Sequence, residues 1–308
     1  MEVELALEDA EPDDAVVHAA EGLVPPLLPA FVGEPARVED LSRAVLHVRV
    51  DVVGHATQYG GVPVALVRPP GRSYPECLVR DRVRRPIDLD RALVQHAAYA
   101  AALRAIGFDV RALAPLDDLP DACFVEDVAL VFPEVAVLLR PGAPQRRPEV
   151  LAIAPVLADL KANVIQLHPP ARIDGGDVLR IGRLVFVGLS SRTDAAGVGA
   201  LREALSPFGY EVRTLPVRRG LHLQSAVCAA GPDLVLSEPG AVDADALGVR
   251  VVFVDGPVNV LSNDGAVLLP ASAARAAEVL AREGLRVVPV DLGEFEKGDA
   301  GATCLSLR

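Results

Sequence analysis

The chain has 308 residues, 51% of them hydrophobic and 23% charged, enough for a substantial packed core and too apolar for a disordered polymer. Aromatic residues are scarce (4%, no Trp), so Val, Leu, Ala and Ile must build that core. Thirty Lys+Arg face 42 Asp+Glu, and the resulting net charge of −12 disfavours nucleic acid and anionic membranes as partners while suiting a cationic small molecule.

Residues before Gly61 carry acidic and proline-rich clusters, Glu8–Asp14 and Pro25–Pro29, around a weak helical pattern at Val16–Leu23 and a strand pattern at Ala44–Val53. The stretch 1–61 reads as an N-terminal appendage, partly disordered or an upstream extension, ahead of one domain over 62–308. From Val62 the pattern repeats. A strand at Pro63–Val67 leads to a helix over Asp88–Ile106, with Asp88 as N-cap and Gly107 closing it, and to a strand at Asp109–Leu113. The second unit has strands Val128–Phe132 and Val135–Arg140, helix Glu149–Leu160 and strand Val164–Leu167. The third has strands Val178–Ile181 and Leu184–Gly188, helix Ala195–Phe208 and strand Glu211–Leu215. The fourth has strands Ser225–Ala229 and Asp233–Glu238, a helical turn at Asp243–Leu247 and strand Arg250–Val254. The fifth has strands Val258–Leu261 and Ala266–Pro270, helix Ala273–Glu283 and strand Arg286–Val290. A last strand-like run, Gly301–Arg308, carries Cys304 and is expected to pair back with the first unit.

Strand–strand–helix–strand recurring at roughly thirty to forty residues is a repeat architecture. Five units, the last strand completing the first, predict a five-bladed α/β propeller of ββαβ units with no open sheet edge. An open doubly wound sheet fits less well, because it joins single strands by helices.

Cys304 becomes interesting in company with histidine and carboxylates elsewhere in the chain. The other three cysteines are far apart and no C-x-x-C occurs, which argues against a zinc ribbon or a disulfide framework. His222, between Leu221 and Leu223, is by itself more readily a satisfied core histidine than a proton carrier. Arg172-Ile173-Asp174-Gly175-Gly176-Asp177 is an acidic turn whose glycines permit close backbone approach and whose Asp174 could orient a histidine; an ordinary hairpin turn is the plainer alternative. Leu119–Asp127 places Asp121, Glu126 and Asp127 around a short apolar core, either a turn or a surface for a planar cation with several donors. Arg146 and Arg192 follow the second strand of two successive units, as solvated loop residues or as forks for a carboxylate. The acidic start, Met1–Leu5, lacks the basic region of a secretory leader, and no apolar run reaches membrane-spanning length, so a soluble cytoplasmic protein is expected.

In order, Pro120-Asp121-x-x-Phe124-Val125-Glu126-Asp127, Asp174-Gly175-Gly176-Asp177, Arg192-Thr193-x-Ala195-x-Gly197, Leu221-His222-Leu223 and Gly301-x-x-Cys304-x-Ser306-Leu307-Arg308 resemble the dimethylarginine dimethylaminohydrolase family of the guanidino-group-modifying (amidinotransferase) superfamily. The resemblance covers about Val62 to Arg308. It implies the same propeller and hydrolysis of a C–N bond in methylated arginine, giving citrulline and a methylamine, with no cofactor and no metal. It implies Cys304 as nucleophile, His222 as general acid and base, and Asp174 as the carboxylate supporting His222. Asp121, Glu126 and Asp127 would form the guanidinium pocket, and Arg146 and Arg192 the clamp on the substrate carboxylate. The carbonyls of Leu78, in a lid, and Gly298 would meet its α-amino group. The lid, Tyr74–Arg80, departs from the Asp-Gly-Leu-Thr pattern expected there, and Asp194 stands where Asn is expected. The partner is a small guanidino compound; the oligomeric state stays open, a homodimer included. The alternatives are another guanidine hydrolase, such as an arginine deiminase, and a non-catalytic ligand-binding propeller.

Overall fold

The first repeat already shows why the chain folds as it does. Strand β1 (Val64–Val67) is followed by helix α1 (Leu89–Ala105), whose N-cap Asp88 accepts a hydrogen bond from the backbone N–H of Arg91 at 3.1 Å. Ala92, His96, Tyr99 and Leu103 fall on one buried helix face. Gly107, at φ +98°, then turns the chain into β2 (Asp109–Ala112), which lies parallel to β1. The protein is described here by a computed structural model over residues 62–80 and 84–308, and these residues fall in one compact unit. The appendage 1–61, with its expected helix and strand, lies outside the described residues.

Four more units follow. The second has β3 (Ala129–Val131), β4 (Ala136–Leu138), α2 (Pro148–Leu160) and β5 (Val164–Gln166). The third has β6 (Val178–Ile181), β7 (Leu184–Leu189), α3 (Ala195–Leu205) and β8 (Glu211–Pro216). The fourth has β9 (Val227–Gly231), β10 (Leu234–Ser237), a single 3-10 turn at Ala244–Ala246 and β11 (Arg250–Phe253). The fifth has β12 (Leu261–Asn263), β13 (Ala266–Pro270), α4 (Ala274–Arg282) and β14 (Arg286–Val290). Among the described residues these strands make five three-stranded sheets. In each, the central strand pairs antiparallel with an inner strand and parallel with an outer one. The inner strand of the first sheet is β15 (Ser306–Leu307), which pairs with β1 through Leu66–Leu307 and Val67–Ser306. The result is the expected pseudo-fivefold ββαβ fold.

Alternation along the central strands explains how the sheets hold together. Side chains point to opposite faces of a strand at successive residues, and here both faces are buried. Leu66 of β1 belongs to the apolar cluster of the second sheet, with Val128 and Leu138, whereas Ala65 and Val67 belong to the cluster of the fifth, with Leu261 and Leu268. Val137 of β4 joins Val185 and Val187 of β7, and Phe186 joins Val235 of β10. Leu236 then joins Val267 and Leu269 of β13. Each central strand therefore serves two cores. The inner strands β3, β6, β9, β12 and β15 all border one cavity of about 380 Å³.

Four expectations are corrected. Cys304 is not in a strand: Ala302–Leu305 forms a turn and pairing begins at Ser306, since the polar chain groups of Thr303 are drawn off to Asn259. The strand expected at Val258–Leu261 begins only at Leu261, and that expected at Ser225 begins at Val227, after a 3-10 turn at Leu223–Ser225. The acidic stretch Asp291–Asp299 contains a short helix, α5 (Gly293–Glu296), where no element was expected.

Candidate active site

Cys304 sits on a turn tied down from several sides. Tyr99 donates its hydroxyl to the carbonyl of Ala302 (2.7 Å) and its oxygen lies 2.8 Å from the Ser306 hydroxyl, while the N–H of Glu126 donates to the carbonyl of Cys304 (3.3 Å). The N–H of Gly301 points at Sγ, at 3.4 Å. Cys77, Cys123 and Cys228 are buried; Cys304 alone of the four is partly exposed. It borders a cavity of about 180 Å³ together with His222, Glu126 and Thr303.

His222 caps the 3-10 turn Leu223–Ser225, its backbone N–H donating to the Ser225 hydroxyl at 3.3 Å. Its Nε2 lies 3.0 Å from Oδ2 of Asp174, whose Oδ1 accepts the N–H of Gly142 at 2.8 Å. A second carboxylate locks this arrangement. Asp177 accepts the N–H of Leu223 (2.9 Å) and the hydroxyls of Ser190 (2.6 Å) and Thr193 (2.7 Å), while Thr193 Oγ1 accepts the N–H of Asp174 (3.1 Å). The two glycines are needed for this packing. A Cβ on Gly175 would meet the carbonyl oxygen of Glu126 at 1.9 Å, so the turn can lie directly on the Val125–Val128 turn.

Glu126 and Asp127 face opposite tasks. Glu126 accepts from the hydroxyl of Thr303 (2.6 Å) and the amide of Gln224 (3.1 Å), and borders the cavity of Cys304. Asp127 accepts the N–H of Gly176 at 2.9 Å and pairs with Arg146, both side chains buried. Arg146 also donates to Glu149 (2.9 and 3.1 Å) and to the carbonyls of Phe124 (2.9 Å) and Asp121 (3.3 Å). Its guanidinium is thus fully engaged inside the protein. This corrects its expected place in the substrate clamp: it holds the acidic turns together instead. Arg192 is different. It is part-exposed, with Nη1 3.8 Å from Oδ2 of Asp174.

The residues of the expected lid gather at another edge. The N–H of Leu78 donates to both oxygens of Asp121 (3.1 and 3.2 Å), and Arg84 donates to the carbonyls of Pro75 and Cys77 (both 2.6 Å). A Cβ on Gly298 would lie 3.0 Å from Sγ of Cys77, and the N–H of Arg80 donates to Asp299 at 2.6 Å, so lid and Gly298 segment are packed together. Of the ten residues singled out, Cys304, His222 and Glu126 border the cavity itself; Asp174 stands behind His222 with Arg192 beside it, Asp127 and Arg146 stand behind Gly176, and Leu78, Asp121 and Gly298 lie at the expected lid. Thr193, Asp177, Gln224 and Asn259 were not assigned roles. Thr193 and Asp177 lie inside the motifs given above and Gln224 directly follows one of them; nothing in the sequence marks Asn259.

Charge sets the resting state. Burial lowers the proton affinity of His222, but Asp127, Asp174 and Asp177 more than offset it, and its pKa rises to about 9. Burial pushes the thiol of Cys304 well up, and the carboxylates of Glu126 and Asp127 push it further. At neutral pH the pair is a neutral thiol beside an imidazolium. Burial would raise Asp127 as well, yet the charges of His222 and Arg146 hold it below the usual carboxylate value. Asp127, Asp174 and His222 bring one ligand atom each within 4.8 Å of one another, a spacing that suits a metal ion. Arg146 already supplies a cation to Asp127, and the second oxygen of Asp174 is taken by Gly142.

Comparison with known proteins decides the relationship. The chain is 42% identical over 247 residues to an N(G),N(G)-dimethylarginine dimethylaminohydrolase of Streptomyces coelicolor, covering 79% of this chain and 96% of the relative. The chain belongs to the dimethylarginine dimethylaminohydrolase family. The model of the arginine deiminase family matches residues 110–210. A dimethylarginine dimethylaminohydrolase of Pseudomonas aeruginosa, solved as a cysteine-to-serine mutant with citrulline, superposes with a TM-score of 0.77 at 28% identity, over 80% of this chain and 99% of that one. An adduct of a dimethylarginine dimethylaminohydrolase with S-methyl-L-thiocitrulline superposes equally well, with a TM-score of 0.77 at 28% identity and the same coverage of 80% and 99%. Among the described residues no helix is long and apolar enough to cross a membrane.

Proposed function

We propose that this protein hydrolyses Nω-methylated arginine to L-citrulline and a methylamine through a covalent intermediate on Cys304. The observation that carries the reading is the shared cavity, which Cys304, His222 and Glu126 line together, in a chain of this family.

The chemistry follows from the charges. Burial and the negative field of Glu126 and Asp127 keep Cys304 protonated; a bound guanidinium outweighs them with its positive charge, so the thiol loses its proton to solvent as substrate docks. The thiolate adds to the central guanidino carbon. The bond to the methylated nitrogen then breaks, with the imidazolium of His222 supplying the proton that the departing amine needs. The neutral imidazole left behind takes a proton from water, whose oxygen adds to the thiouronium carbon. Cleavage of the C–S bond releases the ureido group and restores the thiol. Asp174, at 3.0 Å from Nε2, holds the ring and stabilises its charged form. In this reading Asp121, Glu126 and Asp127 provide the acidic surroundings of the guanidinium, and Arg192 forks onto the α-carboxylate, while the carbonyls of Leu78 and Gly298 serve the α-amino group. The partner is a small guanidino compound, and a cytoplasmic place suits such a substrate.

The test is a citrulline-formation assay over arginine, monomethylarginine and asymmetric dimethylarginine, with Cys304→Ser alongside. Turnover of the methylated substrates, lost in the variant, is expected. Turnover of free arginine alone would make the protein a deiminase, and citrulline production surviving in Cys304→Ser would overturn the mechanism.

A further inference from the structure

Arg308 closes the motif that carries Cys304, yet the reaction described above gives it no task. Its position supplies one. Glu126, Gln224 and Thr303 line both the small cavity of Cys304 and the larger cavity between the inner strands, so together they form the wall between the two. Of these two cavities, Arg308 lines the one between the inner strands and not that of Cys304. From that side its Nη2 lies 3.6 Å from Oε1 of Glu126, and Nη1 is anchored by the hydroxyl of Ser306 at 3.0 Å. No other cation is paired with Glu126 among the described residues: Thr303 and Gln224 reach it with neutral donors.

We propose that Arg308 is a positioning residue for the guanidinium site, holding the carboxylate of Glu126 ionised and aimed from the far side of the wall without meeting the substrate. This rests on the function proposed above. A buried carboxylate surrounded by neutral donors takes up a proton readily, and a protonated Glu126 attracts no guanidinium. The groups facing Glu126 make the need acute. Asp127 in its own turn, Tyr99 from α1, Cys304 from the turn before β15 and Cys228 from β9 are negative or neutral, and His222, across the cavity, has Asp127, Asp174 and Asp177 to balance. Arg180 shares the larger cavity but its guanidinium lies over the ring of Phe132. Arg308 is the charge at hand.

The experiment measures kcat and KM for a methylated arginine across pH in wild type, Arg308→Gln and Arg308→Lys, with thermal stability recorded for each. Removing the cation raises the proton affinity of Glu126. The acid limb of kcat/KM is therefore expected to move up by about one pH unit in Arg308→Gln, a roughly tenfold loss on that limb carried by KM, with recovery towards wild type at higher pH. Arg308→Lys should restore most of it. A role in packing alone would lower stability or kcat at every pH and leave the limb in place, and that result overturns the proposal. Should Arg308→Gln not fold, Arg308→Met, which keeps the apolar stem, is read in its place. A wild type inactive on every guanidine would instead remove the proposed function, and this role with it.

Discussion

His222 rests on the bare backbone of Gly176. A Cβ at that glycine would lie 2.6 Å from Nδ1 and 2.9 Å from Cγ of the ring, and 3.0 Å from Oδ1 of Asp127. The ring cannot retreat from such a contact without leaving Asp174, because Nε2 is already held at 3.0 Å on its other side.

Gly176→Ala should therefore displace the imidazole while leaving the substrate pocket largely in place. A shift of about 1 Å in a reacting group can cost about a hundredfold in rate, so kcat should fall by that order with KM changing much less. Steady-state kinetics decides it; an unchanged kcat would mean the ring has room that the structure denies it.

Thermal stability should depend on pH through His222. Its folded pKa of about 9 lies above the unfolded value of about 6.5, so the stabilisation is fully present below about 6.5 and is lost as pH rises through 9. The amount is on the order of 3 kcal/mol. Melting curves from pH 6 to 10 should fall more steeply for wild type than for His222→Gln. Parallel curves would show that the histidine is neutral in the fold.

The two arginines should separate. Arg192→Lys, losing the planar fork at a part-exposed position, should raise KM about tenfold or more with little change in stability. Arg146→Met would leave Asp127 and Glu149 buried without their partner, a loss of roughly 3–5 kcal/mol visible in urea unfolding. A wild-type unfolding midpoint in Arg146→Met would return that residue to the substrate site.

His222→Ala should trap the intermediate. With S-methyl-L-thiocitrulline as substrate, whose methylthio group departs without the proton an amine needs, the thiouronium still forms on Cys304 but no group remains to activate water for its hydrolysis. Protein quenched with substrate should then carry a covalent adduct on Cys304 by mass spectrometry, absent from Cys304→Ser. An unmodified Cys304 at all times would place the loss before bond formation.

The repeat and its helices were legible because each unit carries its own local signals. Asp88 before α1 and Gly107 after it mark both ends of a helix, and β6, β13 and β14 occur at the expected residues. The neighbourhood of Cys304 was less legible. Leu305 and Leu307 make the run look like a strand, and only the side chain of Asn259, distant in sequence, reveals that Thr303 is held in a turn. The partner of Arg146 was hidden for the same reason. Arg146 and Arg192 occupy equivalent places in their repeats, yet one packs beneath Asp127 and Glu149 and the other stands beside Asp174. Position within a repeat says where a side chain starts; the neighbouring repeat decides where its charge ends.

The first sheet differs from the other four in how it must be assembled. Each of the others draws its three strands from one continuous stretch, whereas β1 waits for β15, from the far end of the described chain. Closing so long a loop is slow compared with forming the local units. The four local sheets should gain protection from hydrogen exchange first during refolding, and the β1–β15 pair last. Cys304 sits on the turn just ahead of that late strand, so its sulfur comes into place only when the rest of the fold is standing, and a partly folded chain holds no aligned thiol to react out of turn.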